Sequence, residues 1–232
     1  MLDLDNIVKF LNQYFAIERF IDDQGGIYRP SQRPIQRFGL ALEPWSELTA
    51  WANTHRLDAL FLHRPWKLEP SQLSPDVGVV AYHLAFDERM TLGFNPRLAE
   101  VLGMSSLEIL GEKAGRPIGM LGKVSASSFE QYSGYVNQVF GGHDAVYPCG
   151  DEIKSVAVVG AMTDALVREA AERGATLYIT GQFRQPAKLA VAQTQIGVIV
   201  VGHRRSELWG LQALTGVVRE RWSGLEVVNA QR

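Results

Sequence analysis

Apolar residues fall along this chain in two rhythms. In the first, four or so stand in an unbroken run, as at Ala59–Leu62, Val79–Tyr82, Val156–Val159, Leu177–Ile179 and Val198–Val201. Short runs of this kind read as strands buried on both faces. In the second rhythm, apolar residues recur every three or four positions. Ile7, Phe10, Leu11 and Tyr14 share one face of a helix expected from Asn6 to about Phe15, with Asp5 as its cap. Leu48 and Trp51 point inward from a helix opened by Pro44, and Leu166, Val167 and Ala170 from one between two strand runs. Strand, helix, strand in this order is the right-handed parallel unit, so the fold class is α/β.

Turn residues divide these elements. Asp22–Arg37, rich in glycine, proline and polar side chains, reads as a loop, and Phe38–Leu42 as a short strand. Asn95-Pro96 caps and opens a helix that Gly103 stops. Ser127 with Glu130 forms a capping box for a helix ending at Gly141-Gly142. A helix over Pro186–Gln195 ends before Gly197, another runs from His203 to about Trp222, and Leu225–Ala230 forms a last strand. Glycines at 111, 115, 119 and 122 interrupt all periodicity, which places a boundary between two lobes there.

Composition narrows the function. The 232 residues are 46% hydrophobic and 21% charged, with a formal net charge of −2, so nothing global favours nucleic acid. A single cysteine, Cys149, excludes an internal disulfide and a thiolate zinc cluster. The opening segment carries two aspartates and no basic stretch, and no apolar run approaches the ~18 residues of a membrane span. A cytoplasmic protein without membrane or nucleic-acid partners is the expectation. No phosphate-binding glycine loop and no Gly-x-Ser-x-Gly nucleophile turn is present.

The histidines carry the chemistry. His63 and His83 each directly follow a strand run, Asp87 follows His83 by four, and His203 begins a helix after Gly202. His203 and Glu207, four apart, lie on one helix face. Ligands gather at the carboxyl ends of strands in open α/β sheets, so His63, Asp87, His203 and Glu207 form a candidate nitrogen–oxygen metal set. His83 suits a supporting place behind a ligand, or a plain core position. The alternative for the segment from Gly197 to Glu207 is an ordinary helix start with an incidental histidine and a solvated glutamate.

In order and spacing these segments resemble the NIF-three-like dinuclear-metal family, some members of which are described as type-two GTP cyclohydrolases. Its His-His-Pro signature stands here as His63-Arg64-Pro65, and its His-Thr-Asn-x-Asp as His83-Leu84-Ala85-Phe86-Asp87. Its Ile-Thr-Gly-Asp, with a histidine four residues on, becomes Ile179-Thr180-Gly181-Gln182 with Pro186. Its Gly-His-x-x-Ser/Thr-Glu is intact at Gly202–Glu207. The resemblance implies ligation by His63, Asp87, His203 and Glu207, with a carboxylate at the Glu207 position bridging two metals. It also implies two α/β lobes, the second inserted into the first: 1–110 with 205–232, and 111–204. A homo-oligomer, a hexameric ring, comes with the family.

The departures change the site. Arg64 replaces a ligand, and a guanidinium only donates hydrogen bonds, so it opposes a second cation and is expected to pair with Glu207 or Asp87. One divalent ion or none per chain follows, with zinc, iron and manganese not distinguished. Two functions fit: a metal-binding or scaffold protein with a depleted site, or a metal-dependent hydrolase of the GTP cyclohydrolase type-two kind acting on a small molecule.

Overall fold

The structure, a computed structural model, describes residues 1–150 and 152–230. The chain forms two compact units, Met1–Phe86 with Gly210–Arg232, and Asp87–Trp209. The second is therefore inserted into the first, and the cuts fall at 87 and 210 where 111 and 205 were expected.

In the first unit α1 (Leu4–Phe15) precedes β1 (Gly25–Arg29), β2 (Arg37–Ala41), α2 (Leu48–Thr54), β3 (Ala59–Leu62) and β4 (Gly78–Tyr82). Helix α3 (Leu84–Met90) carries the chain into the second unit. That unit runs through α4 (Pro96–Val101), β5 (Ser105–Ile109), the ribbon β6 (Glu112–Lys113) and β7 (Arg116–Pro117), and β8 (Gly119–Ser127). Then follow α5 (Phe129–Phe140), β9 (Ala145–Tyr147), β10 (Ile153–Val159), α6 (Asp164–Glu172), β11 (Leu177–Thr180), α7 (Lys188–Thr194) and β12 (Gly197–Val200). Helix α8 (His203–Arg221) returns the chain to the first unit, which β13 (Glu226–Asn229) completes.

The first unit's sheet has the order β1-β4-β3-β2-β13, parallel except for antiparallel β1. Every residue of β3 and β4 is buried, as their unbroken apolar runs require. The second sheet has the order β5-β8-β10-β11-β12-β9. Its centre is parallel, with Val156 opposite Leu177 and Val158 opposite Ile179, joined through α6 as the strand-helix-strand pattern predicts. Strands β8, β5 and β9 add antiparallel margins.

Several local expectations are corrected. Helix α1 begins two residues earlier, capped by Asp3, whose carboxylate accepts from Asn6 N–H at 2.8 Å. Its buried stripe is Leu4, Ile7, Leu11 and Phe15, while Phe10 and Tyr14 are only half-buried. The loop expected over 22–37 contains β1, an edge strand that glycines and exposed positions disguised. Helix α2 starts at Leu48, past Pro44, and the cap of α5 is Ser128 with Gln131 instead of Ser127 with Glu130. Helix α7 ends on Gln195 in the left-handed region, and Gly197 already belongs to β12.

The glycine cluster is not a linker. Gly111 and Gly115 take φ of +68° and +71° at the ends and turn of the β6–β7 ribbon. Gly119 lies within β8, where a Cβ would stand 2.9 Å from the Val158 carbonyl oxygen. Gly111 and Gly115 thus shape the ribbon, and Gly119 lets β8 approach β10 closely.

Candidate metal centre

Strands β3 and β4 lie side by side with Leu62 opposite Ala81, so the residues that follow them, His63 and Tyr82-His83, emerge close together. His63 is fully buried. Its Nδ1 lies 3.0 Å from the carbonyl oxygen of Tyr82. A carbonyl only accepts, so Nδ1 carries the proton and Nε2 keeps the lone pair. His83 repeats the device with a charged acceptor. Its Nδ1 lies 2.9 Å from Oδ1 of Asp23, while Oδ2 of Asp23 accepts from the Leu84 N–H. In both imidazoles the lone pair therefore lies on Nε2.

The aromatic surroundings hold the rings in place. Phe86 packs on His63 with centroids 4.7 Å apart, and the two imidazoles stand 5.3 Å apart. Trp66, 56% exposed, meets the His83 ring edge-on at 4.9 Å. Tyr82, buried beside them, donates from its hydroxyl to Asn12 Oδ1 at 2.7 Å, and burial pushes its phenol well above the ordinary range.

Asp87 completes the group from the first turn of α3. One donor atom each from His63, His83 and Asp87 lies within 4.8 Å of the other two. Two imidazoles and one carboxylate form a borderline donor set that suits zinc, iron or manganese. The residues present therefore fit a divalent cation.

His203 and Glu207 form a second pairing on α8, with Nε2 3.0 Å from Oε1. The glutamate is fully buried and the histidine side chain 65% exposed. Gly202 turns the chain before them at φ +91°, as the break after β12 predicts. Arg64 donates from Nε to Glu43 Oε2 at 3.2 Å, a partner the signatures do not contain. His63, His83 and Asp87 lie near one another, and His203 pairs with Glu207. His83, given a supporting place from sequence, has the geometry of a donor, and Asp23 stands behind it.

Asp23 and Trp66 were missed. Asp23 lies 60 residues from His83 in a stretch read as loop, and its only sequence signal is an acidic pair before Gly25-Gly26. Trp66 directly follows the first signature, and a tryptophan at that place was the available sign.

One α/β unit inserted into another, with two histidines and an aspartate that could hold a metal ion, defines the class of fold and site. Comparison with known proteins makes the assignment specific. The model of the Duf34/NIF3 (NGG1p interacting factor 3) family matches residues 2–232, and the chain belongs to that family. It is 27% identical to the GTP cyclohydrolase 1 type 2 homolog of Pyrococcus abyssi, covering 95% of each chain. The Archaeoglobus fulgidus protein of the same name is 26% identical, over 98% of this chain and 97% of that one. Reduced HcgD from Methanocaldococcus jannaschii shares the fold at a TM-score of 0.75 and 20% identity, over 98% and 97% of the two chains. Protein ybgI, described as of unknown function, does so at 0.78 and 19%, over 99% and 98%. Among the described residues no helix is long and apolar enough to cross a membrane.

Proposed function

We propose that this protein binds a divalent cation at His63, His83 and Asp87, at most one ion per chain at that centre, in a metal-binding or scaffold role. The observation that carries this reading is the anchoring of both imidazoles through Nδ1, to Tyr82 O at 3.0 Å and to Asp23 Oδ1 at 2.9 Å. Such anchoring sets the tautomer and raises the basicity of the coordinating nitrogen, which is what a ligand histidine needs. Arg64 supports the limit on stoichiometry, because it stands where the family signature has a second histidine and cannot ligate.

The residues' own contributions follow from their chemistry. Asp23 holds His83 and orders the start of α3 through the Leu84 N–H. Phe86 packs on the buried ring of His63, and Trp66 covers one edge of His83. When bound, a divalent ion supplies Lewis acidity toward an oxygen ligand.

Hydrolysis is the second reading, because three protein donors leave a coordination position for water or substrate. The names of the relatives point to GTP as the first substrate to try. Elemental analysis of protein purified without an affinity tag, followed by turnover assays on GTP and other nucleotides, separates the two. Bound metal without turnover supports the first; metal-dependent turnover lost in His83→Ala supports the second; a metal-free protein that cannot be loaded removes both.

A further inference from the structure

Helix α1 carries two stripes. Leu4, Ile7, Leu11 and Phe15 form the buried one. Phe10 and Tyr14 belong to a second stripe, half-buried, which faces a groove of about 730 Å³ together with Trp222 just past the end of α8. All of these residues lie within the first unit. The groove is distinct from the histidine centre in every residue.

Its lining combines rings and positive charge. Phe10 and Trp222 meet edge to face with centroids 5.1 Å apart, and Tyr14 lies 6.0 Å from Phe10. The guanidinium of Arg221 sits 5.8 Å from the Phe10 centroid and 5.7 Å from that of Trp222. Lys9 adds a second cation and Gln13 an amide, and among the described residues that line the groove none is acidic. Such a volume lies within the usual range for small-molecule sites. Aromatic walls favour a planar ring, which can stack or lie edge-on. Two cations without an acid favour a phosphate dianion over a neutral or cationic group.

We propose that this groove binds a small aromatic phosphate, a planar ring seated among Phe10, Tyr14 and Trp222 with its phosphate on Lys9 and Arg221. The probe is adenosine 5′-monophosphate, titrated by calorimetry into chelator-treated protein so that metal coordination does not contribute. Saturable binding is expected, and Lys9→Gln or Arg221→Gln should each weaken it about tenfold, the scale of a lost charge-assisted hydrogen bond. Both side chains are exposed, so their variants should melt like the parent. Adenosine and ribose 5-phosphate should each bind at least tenfold more weakly than the intact probe, and His83→Ala should bind it unchanged. No saturable binding, equal binding of adenosine, or indifference to both cation variants would overturn the assignment. So would a change in sedimentation of Arg221→Glu without any change in nucleotide binding, which would make the groove a self-association face.

Discussion

Asp23 accepts from His83 across 60 residues of sequence, Oδ1 to Nδ1 at 2.9 Å. The pair turns a histidine after a strand into an oriented donor. Asp23→Ala should keep the fold and lower divalent-metal affinity about 10- to 100-fold, the usual effect of losing a carboxylate behind a ligand histidine. Competition against a chelator of known affinity measures this. An affinity within twofold of the parent would mean that His83 does not ligate.

Arg64 should set the metal count. The parent is expected to hold no more than one equivalent per chain, and Arg64→His should bind more, because it restores a donor and removes a fixed positive charge. The Arg64–Glu43 bond at 3.2 Å is only partly buried, so its loss should cost stability no more than about 1 kcal/mol. Two tightly held equivalents in the parent would contradict this role for Arg64.

Val158 is fully buried in β10, between β8 and β11. Val158→Asp places a carboxylate among apolar side chains without a partner and should destabilise the second unit by at least about 4 kcal/mol. Thermal melting followed by circular dichroism checks it. A parent-like transition would show that the strand is not the core of its sheet.

The strands of the two sheet centres were legible because branched residues in short runs have few other uses. The margins were not. Strand β5 reads Ser-Ser-Leu-Glu-Ile with nearly all of it exposed, and β8 opens with Gly119 and holds Gly122, so neither gives an apolar run or a clean alternation. The donor candidates His63 and Asp87 stood out because a polar residue ends or follows an apolar strand. What positions them did not stand out. Asp23 and Glu43 act through pairings that form only once distant segments fold together, and no local pattern marks such a partner. Phe10 and Tyr14 show the reverse limit: helical spacing marked them as inward, yet the buried stripe is one step round the helix.

Three tyrosines link stability to alkaline pH. Burial raises the phenols of Tyr82, Tyr132 and Tyr178 above their ordinary range, and their hydroxyls donate to Asn12 Oδ1, Leu102 O and Ala161 O. The unfolded chain ionises these groups near pH ~10 while the folded chain keeps them neutral. Their contribution is therefore full below pH ~10 and declines above it, at about 1.4 kcal/mol per pH unit for each group. The melting temperature should be level toward pH 9 and fall by several degrees by pH 11. Tyr82→Phe should lessen the alkaline fall, and an equal fall in that variant would remove Tyr82 from the explanation.

The donor group at His63, His83 and Asp87 is best tested by metal content. Protein purified without an affinity tag, loaded with zinc, iron or manganese and freed of excess, should retain close to one equivalent of one of them per chain at this centre. His63→Ala and His83→Ala should each retain far less while melting as folded proteins. Equal metal in the parent and both variants, or none in any of them under any loading condition, would contradict the assignment of this site.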